Sequence, residues 1–414
     1  MSFCFSTADI LLPDFKRIDG ERYAVIACDQ YTSEGDYWDA VARTVGDAPS
    51  TLQFVLPEIY LENDRDARTE KIRIAMREAL DSGLLTLHSD TLVYLERTCR
   101  DGKVRCGIVG KIDLECYDYA KGTAPMIRAT EGTVLERIPP RMAVRREALF
   151  ELPHVMLLYA DHENAILAPL AQEVKRETPL YDFDLMMGGG HVRGYAVRGA
   201  AAKALLSRME QTLDPTFPFA VGDGNHSLAS AKAHYEEIKH RIGAEKAKTH
   251  PARYALVEAV NLCAEALVFE PIYRVVFDAP DTLEHDLAAY LESVSQEDAN
   301  AANGGGSIVC VRGDARKTLT FTHGSHSLTV GTLQKFLDAY LPAHKAARID
   351  YIHGEDSLTA LSKKPRAVGF LFDGMKKDAL FAAVRADGVL PRKTFSMGEA
   401  YDKRYYLEAR SITE

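Results

Sequence analysis

The stretch Phe217–Ser227 reads Phe-Pro-Phe-Ala-Val-Gly-Asp-Gly-Asn-His-Ser, and it decides how the middle of this chain folds. Its first half, Phe217–Val221, is short and apolar, which is typical of a buried strand. His226–Ile242 carries apolar side chains at helical spacing and is predicted as a helix. The two glycines around Asp223 form the turn between them. We expect this turn to lie at the centre of the ligand or active site.

The segments on either side of the turn alternate between helices and strands. Gly199–Leu213 is predicted as a helix and Tyr254–Leu262 as a strand, which completes a strand-helix-strand unit around the turn. Near the N-terminus, Arg22–Cys28 is apolar enough for a buried strand. Thr91–Glu96 and Val104–Glu115 are predicted as an antiparallel pair. The chain is therefore assigned to the α/β class, with α+β mixed sheets.

Length and composition indicate a folded protein with a large core. The chain has 414 residues, of which 46% are hydrophobic and 27% charged, so two or three lobes are expected. The formal net charge of −10 opposes binding to DNA or RNA, which depends on cationic surfaces. No stretch approaches the ~18 apolar residues of a membrane helix, and no targeting segment is recognisable. We expect a cytoplasmic protein without nucleic-acid or membrane partners, and leave open whether it forms a homo-oligomer.

The sequence shows no spacing typical of metal ligands. The seven cysteines never form Cys-x-x-Cys, which argues against a disulfide framework and a structural zinc site. His154, His191 and His353 are isolated, and single histidines are more often structural groups than ligands. We predict no metal site from these residues.

The backbone and small side chains of the turn suit an anionic ligand. The first backbone N–H groups of a helix lack partners within the helix, so a helix start binds anions, most often phosphate. Gly222 and Gly224 permit close approach of a ligand to the backbone. Asn225 or Ser227 is able to cap the helix or to hydrogen-bond a phosphate oxygen. The alternative is a structural turn in which these side chains form local hydrogen bonds only.

The two titratable residues of the turn suit chemistry beyond phosphate binding. Asp223 repels phosphate and is better suited to a metal ion, a substrate hydroxyl or a substrate amine. His226 is able to donate to a phosphate or to transfer a proton near neutral pH. The turn matches neither the Walker pattern nor Gly-x-Gly-x-x-Gly, so these residues do not name the ligand.

Five residues outside the turn are further candidates. Arg274 and Arg128 carry planar guanidinium groups that pair with phosphate or carboxylate, and the alternative for both is an internal salt bridge. Asp29 and Gln30 follow a predicted strand, where α/β proteins tend to build ligand sites. Glu131 lies in the segment 126–137, which is predicted as an ordered loop because the two prolines that follow it cannot extend a helix. By itself, Glu131 fits a solvated loop carboxylate.

Three further segments carry a resemblance to a known family. They read Arg-Ala-Thr-Glu-Gly-Thr at 128–133, Pro-Ile-Tyr-Arg at 271–274 and Leu-Pro-Arg-Lys-Thr-Phe at 390–395. With the glycine turn, they resemble the domain-of-unknown-function 1015 family over nearly the whole chain. Many members carry Asp-Gly-His-His-Arg where this chain has Asp-Gly-Asn-His-Ser at 223–227. That motif in turn resembles the ParB/sulfiredoxin fold, in particular the free-serine kinases that use ADP or ATP.

The resemblance implies both an architecture and residue roles. It implies a ParB/sulfiredoxin-like core at residues 103–278, between an N-terminal α/β lobe at 1–102 and a C-terminal α/β lobe at 279–414. Glu131 matches the general base of those kinases, Asp223 the motif aspartate, and the residues 224–227 the turn that contacts phosphates. The implied cofactors are ATP or ADP, with Mg²⁺ to offset the phosphate charge.

The leading hypothesis is a nucleotide-binding phosphotransferase that acts on a small hydroxyl-bearing metabolite. The resemblance implies a serine-like amino acid as this metabolite. One alternative is a metal-assisted phosphatase or hydrolase of a phosphorylated metabolite, with Glu131, Asp223 and His226 around a metal ion and water. The other alternative is a non-catalytic nucleotide or metabolite sensor. The kinase hypothesis requires Glu131 and the turn Gly222–Ser227 to share one cleft.

Overall fold

The structure is a computed structural model of the chain, and it describes residues 3–120, 122–297 and 304–414. The helices, in chain order, are α1 (Gly20–Tyr23), α2 (Gly35–Val45), α3 (Arg65–Asp81), α4 (Ile138–Glu147), α5 (Leu167–Val174), α6 (Gly199–Thr212), α7 (Asn225–Ile242), α8 (Ala244–Ala247), α9 (Leu283–Glu297), α10 (Thr329–Tyr340), α11 (Glu355–Ser362) and α12 (Leu380–Asp387). The strands are β1 (Phe5–Ser6), β2 (Ala8–Pro13), β3 (Leu85–Thr98), β4 (Val104–Asp113), β5 (Tyr117–Asp118), β6 (Ile127–Ala129), β7 (Phe150–Glu151), β8 (Met156–Tyr159), β9 (Tyr181–Leu185), β10 (Gly190–Val197), β11 (Phe219–Asp223), β12 (Tyr254–Asn261), β13 (Phe269–Phe277), β14 (Gly306–Arg312), β15 (Ala315–Phe321), β16 (Arg348–His353), β17 (Val368–Phe372), β18 (Phe395–Met397) and β19 (Arg410–Ser411).

The chain divides into two compact units. Unit 1 comprises Met1–Ala129, Thr133–Leu267 and Glu399–Glu414, and unit 2 comprises Thr130–Gly132 and Val268–Gly398. The C-terminal segment thus belongs to the same unit as the N-terminal half of the chain. The division into three lobes at residues 1–102, 103–278 and 279–414 stays a prediction.

Unit 1 is built on a mixed sheet. Its strands follow the order β5-β6-β11-β8-β12-β4-β3-β10-β9, while β1 pairs with β4 and β2 pairs with β3. β11 runs parallel to β6 and antiparallel to β8, whereas β12 runs parallel to β8 and antiparallel to β4. β19 and β7 form a separate antiparallel pair. The mixed α/β class is therefore confirmed, and the assignment of a ParB/sulfiredoxin-like core stays a prediction.

β11 and α7 anchor the glycine turn in the core of unit 1. The residues Phe219–Val221 are fully buried because β11 lies between β6 and β8. α7 buries Leu228, Ala231 and Tyr235, which recur at helical spacing and join the same hydrophobic cluster as β11. The predicted strand-helix-strand unit is confirmed as β11, α7 and β12, with β8 between the two strands in the sheet. The turn is therefore held at both ends by buried apolar side chains.

Unit 2 contains a sheet in which the strands pair antiparallel. Their order is β15-β14-β17-β13-β16, and β18 pairs with the start of β13. Leu287 from α9, Leu333 from α10 and Ile308 from β14 belong to one buried cluster. Unit 2 therefore has a hydrophobic core of its own.

Two other predictions near the N-terminal half are confirmed. The antiparallel pair predicted at residues 91–115 is formed by β3 and β4, and the predicted helix at 199–213 is α6. Within the described ranges, we find no helix with the length and apolar character that a membrane span requires.

The prediction of a strand at Arg22–Cys28 is wrong. Gly20–Tyr23 forms α1, and the buried residues after it form no strand with a neighbouring segment of the sheet. Instead, Ile26 forms a single bridge with Tyr405, and the N–H of Ala27 donates to the carbonyl of Arg404. The apolar run is buried against the C-terminal segment, which an apolar pattern alone does not reveal.

The prediction of a loop throughout residues 126–137 is also wrong in part. Ile127–Ala129 forms β6 at one end. The prolines that were expected to prevent a helix instead occupy the first turn of α4. This position tolerates proline because the first N–H groups of a helix have no partner within it.

Candidate functional site

The glycine turn joins β11 to α7 through one residue in the left-handed backbone region. β11 ends at Asp223, and Gly224 follows with φ 80° and ψ 27°. The register of β11 against β8 shifts between Val221 and Asp223, which places a β-bulge at Gly222. The prediction of a strand-to-helix turn is confirmed, and the helix that starts from it is 18 residues long.

No side chain fits at Gly224. A Cβ atom there would lie 2.9 Å from Cδ2 of His154 and 3.0 Å from Cα of Val155, whereas non-bonded carbon atoms prefer about 3.5–4.0 Å. The left-handed conformation also disfavours any residue with a Cβ atom. Glycine is therefore required by the backbone conformation and by the histidine ring beside it.

Asp223 connects the turn to a lysine near the C-terminus. Its Oδ1 accepts a hydrogen bond from the N–H of Gly224 at 2.9 Å, and its Oδ2 lies 3.2 Å from Nζ of Lys403. The Lys403 side chain is 12% exposed and the Asp223 side chain 25% exposed. Sequence reasoning missed Lys403 because this lysine belongs to no motif and lies far along the chain from the turn.

A second ion pair contacts the turn through His154. Nε2 of His154 lies 3.1 Å from Oδ2 of Asp29, with the imidazole 8% and the carboxylate 27% exposed. Burial disfavours the charged form of both groups, but their mutual attraction outweighs it. The pKa of His154 is therefore raised well above its ordinary value, and the pKa of Asp29 is lowered. The raised pKa favours the imidazolium form of His154 beside the carboxylate, although the isolated position of this histidine in the sequence indicated only a structural group.

The other ring nitrogen of His154 is also bonded. Nδ1 lies 2.7 Å from Oη of Tyr406, and that hydroxyl donates to Sγ of Cys28 at 3.2 Å. In the imidazolium form, Nδ1 donates to the tyrosine oxygen. Both ring nitrogens are thus fixed, and the ring that contacts Gly224 is held in one orientation.

The two ion pairs belong to one group of charges, which we call the turn cluster: Asp29, His154, Asp223 and Lys403. Lys403 links the pairs, because its charge contributes to the lowered pKa of Asp29 while its ammonium group contacts Asp223. Asp29 was a candidate from the sequence, and the structure places it in this cluster. Gln30 donates to Oδ1 of Asp29 at 2.8 Å.

The remaining residues of the turn lie in the first turn of α7. Oδ1 of Asn225 is buried and has no hydrogen-bond partner among the residues that the structure describes. Nε2 of His226 accepts a hydrogen bond from the N–H of Val134 at 3.2 Å, so the neutral ring carries its proton on Nδ1. Ser227 is the third residue of the helix. The first turn of α7 thus contains an acceptor that the described residues leave unsatisfied.

Arg128 lies on the strand next to β11. It is paired with Ala220 in the parallel register of β6 and β11. Its Nε donates to the carbonyl of Pro125 at 3.1 Å, and its guanidinium lies 4.3 Å from the ring centroid of Phe217. These contacts are within unit 1, and a phosphate contact of Arg128 stays a prediction.

Glu131 and Arg274 belong to unit 2. Oε1 of Glu131 accepts a hydrogen bond from the N–H of Lys393 at 3.1 Å. Arg274 is 0% exposed. Its guanidinium donates to the carbonyl groups of Lys393 and Arg392, both at 2.9 Å, and of Ile272. Burial lowers the pKa of Arg274 to about 10. These contacts give Arg274 a structural role in holding the segment 392–393.

The candidate residues therefore fall into two groups. The turn Gly222–Ser227 and the turn cluster lie together in unit 1, Arg128 lies in the same unit on the strand next to β11, and Glu131 and Arg274 lie in unit 2. Whether Glu131 shares a cleft with the turn stays a prediction, as does a phosphate contact of Arg274. Within unit 1, a helix start, an ammonium group and two carboxylates provide the means to bind an anion and to orient a hydroxyl group.

Comparison with solved structures finds remote likenesses. A free serine kinase in complex with AMP has a TM-score of 0.39 and 8% identity, and the match covers 73% of this chain and 90% of the kinase. A conserved hypothetical protein from Pyrococcus furiosus has a TM-score of 0.35 and 10% identity, with 73% and 94% covered. SbnI from Staphylococcus aureus, with a C-terminal truncation, has a TM-score of 0.36 and 11% identity, with 70% and 82% covered.

Comparison by sequence identifies the family. No curated protein matches the chain. A family model described as "Protein of unknown function (DUF1015)" matches residues 13–340, which is most of the 414-residue chain. The resemblance that the motifs at 128–133, 223–227 and 271–274 carry is thereby confirmed, and the chain belongs to the DUF1015 family.

Proposed function

We propose that this protein binds ATP or ADP at the start of α7 and transfers a phosphoryl group to a small hydroxyl-bearing metabolite. The observation that carries the proposal is the left-handed Gly224 between β11 and α7, which opens the N-terminus of a long helix directly after a buried strand. Such a helix end carries a partial positive charge and outward N–H groups, both of which favour phosphate. The motif resemblance to the free-serine kinases supports the same ligand.

In this proposal the side chains of the turn have separate roles. The first N–H groups of α7 hold a phosphate, with Ser227 and Asn225 as additional hydrogen-bonding groups. His226 donates to a phosphate oxygen. Asp223 orients the substrate hydroxyl or a metal ion, since its carboxylate is partly exposed. Gly222 and Gly224 keep the backbone accessible.

In this proposal, Mg²⁺ binds at the carboxylates of the turn cluster. This ion prefers oxygen ligands and binds through one or two carboxylates together with substrate phosphates. Asp223 and Asp29 supply such carboxylates, and both side chains are partly exposed. When bound, Mg²⁺ would offset the charge of the nucleotide phosphates.

Glu131 is the proposed general base because of its position in the motif. In the transfer step, Glu131 accepts the proton of the substrate hydroxyl while the hydroxyl oxygen bonds to the terminal phosphorus. The bond from that phosphorus to the leaving nucleotide breaks at the same stage.

Nucleotide binding tests the proposal most directly. Calorimetric titration with ATP and with ADP in the presence of Mg²⁺ should show saturable binding, and Asp223→Ala or His226→Ala should weaken it by about 10-fold or more, since each removes a charged or polar contact. Absence of nucleotide binding by the folded wild-type protein would refute the proposal.

A second measurement separates binding from chemistry. Glu131→Gln should keep the nucleotide affinity but lower the rate of phosphoryl transfer by ~10²–10⁴-fold, the usual contribution of a general base. L-serine is the first acceptor to test. Release of inorganic phosphate without an acceptor would instead favour the hydrolase, and binding without turnover, with a ligand-dependent change in size, would favour the sensor.

A further inference from the structure

The glycine turn lacks a cationic side chain of its own. Between Val221 and Ser227 the sequence contains neither lysine nor arginine. The two arginines that the sequence suggested have other contacts, Arg128 with Pro125 and Phe217 and Arg274 with buried carbonyl groups. A positive side chain from another part of unit 1 would strengthen phosphate binding at the start of α7.

Lys403 carries a positive charge beside the glycine turn. Its Nζ lies 3.2 Å from Oδ2 of Asp223, the residue that immediately precedes the left-handed glycine. An ammonium group has three N–H donors, and Asp223 is its ion-pair partner among the residues that the structure describes. The N–H groups of Lys403 that do not contact Asp223 are therefore able to donate to a phosphate oxygen next to that carboxylate.

The backbone that carries Lys403 is firmly held. Nη1 of Arg105 donates to the carbonyl of Asp402 at 2.9 Å, and Nη2 of Arg97 donates to the carbonyl of Tyr401 at 3.0 Å. The carbonyl of Arg404 accepts from the N–H of Ala27 at 2.8 Å. Because the residues on both sides are fixed, the Lys403 side chain extends from a defined point of the backbone.

A separate observation supports a ligand at the start of α7. Oδ1 of Asn225, the first residue of the helix, is buried without a hydrogen-bond partner among the described residues. A buried acceptor without a partner costs free energy unless a donor arrives. A hydroxyl or amino group of a bound molecule would satisfy it. The helix start therefore combines an unsatisfied acceptor with a nearby ammonium group.

We propose that Lys403 binds a phosphate oxygen of the nucleotide at the N-terminus of α7. This inference rests on the proposed nucleotide-binding function and adds to it the residue that supplies the positive charge. Lys403 lies beyond residues 13–340, the part of the chain that the family model matches. The C-terminal segment thus completes the phosphate site that the glycine turn begins.

The test compares a ligand that has phosphates with one that lacks them. ADP and adenosine are titrated, in the presence of Mg²⁺, into the wild-type protein and into Lys403→Met, which keeps the apolar stem and removes the charge. Loss of one charged hydrogen bond should weaken ADP binding by about 10- to 100-fold and leave adenosine binding unchanged. Lys403→Arg should retain ADP affinity to within a few-fold.

Lys232 offers a matched control. Its side chain is 14% exposed, close to the 12% of Lys403, and its Nζ lies 2.8 Å from Oε1 of Glu236. Lys232→Met removes the same charge from unit 1 and should leave ADP affinity unchanged. Thermal unfolding confirms that each variant is folded, and Lys403→Gln, which is able to hydrogen-bond Asp223, replaces the methionine variant if that one does not fold.

The outcomes distinguish this inference from the function on which it rests. If the wild type binds ADP and the neutral Lys403 variants bind it equally well, the lysine has no phosphate role and only the inference fails. The same conclusion follows if Lys403→Met weakens ADP and adenosine alike. If the wild type binds neither ligand, the proposed function fails and the inference fails with it.

Discussion

Replacement of Gly224 by alanine should destabilise unit 1 far more than the same change at a comparable glycine. The left-handed backbone at φ 80° costs alanine roughly 1–2 kcal/mol. The new Cβ would also lie 2.9 Å from the ring of His154 and 3.0 Å from the backbone of Val155, and overpacking of this kind adds roughly 1–3 kcal/mol. We therefore expect Gly224→Ala to lower the free energy of unfolding by roughly 2–5 kcal/mol, the sum of these two effects.

Gly83 is the matched control for this experiment. It has φ 71°, and no atom lies within 4 Å of the position that an alanine Cβ would occupy there, so Gly83→Ala should show only the backbone cost of roughly 1–2 kcal/mol. Urea unfolding followed by tryptophan fluorescence measures both, because Trp38 is the single tryptophan of the chain and is buried in unit 1. Equal destabilisation by the two alanine variants would refute the packing of His154 against the turn.

Three further predictions concern the charged and polar groups of the two units. The ion pair raises the pKa of His154 and lowers that of Asp29, so the stabilisation by the pair is lost as pH falls through the lowered pKa or rises through the raised one. The wild type should therefore lose unfolding free energy above pH ~6.5, and His154→Gln should not show this loss. Parallel plots of unfolding free energy against pH for the variant and the wild type would contradict the ionised pair. Arg274→Met leaves buried carbonyl groups without donors. Hydrogen exchange of the backbone amides at residues 390–395 should therefore accelerate by at least ~10-fold. Unchanged exchange would show that the arginine does not hold residues 390–395. Asn225→Ala removes an unpartnered acceptor. The unfolding free energy should therefore stay within ~0.5 kcal/mol of the wild-type value, while the affinity for ADP falls. A large loss of stability would mean that this side chain is hydrogen-bonded in the free protein.

The parts of the fold that the sequence predicted correctly are those with local causes. α6, the β3–β4 pair and the β11-α7 turn each depend on apolar spacing or on a glycine within the same segment. The strand predicted at Arg22–Cys28 failed because its partner is the C-terminal segment, through contacts such as the bridge of Ile26 with Tyr405. Apolar residues indicate burial, but they do not indicate which segment covers them.

The residues of the candidate site also differ in whether local sequence is sufficient to predict them. The turn at Gly222–Ser227 could be predicted because glycines between a strand and a helix have a direct physical meaning. Lys403 and His154 could not, since each acquires its role from a partner distant in sequence, Asp223 in one case and Asp29 in the other. Only the folded chain reveals that a lone histidine and a lysine near the C-terminus lie at the same turn.

The charge balance of the turn cluster bears on the proposed cofactors. Asp29 and Asp223 carry two negative charges, and His154 and Lys403 carry two positive charges, so the cluster is formally neutral. The N-terminus of α7 adds only about half a positive charge. A nucleotide di- or triphosphate brings several negative charges, which the helix start alone would not balance. Because the cluster itself is neutral, Mg²⁺ bound with the nucleotide would supply positive charge that the cluster does not. In the proposed function, the nucleotide would therefore bind as its Mg²⁺ complex.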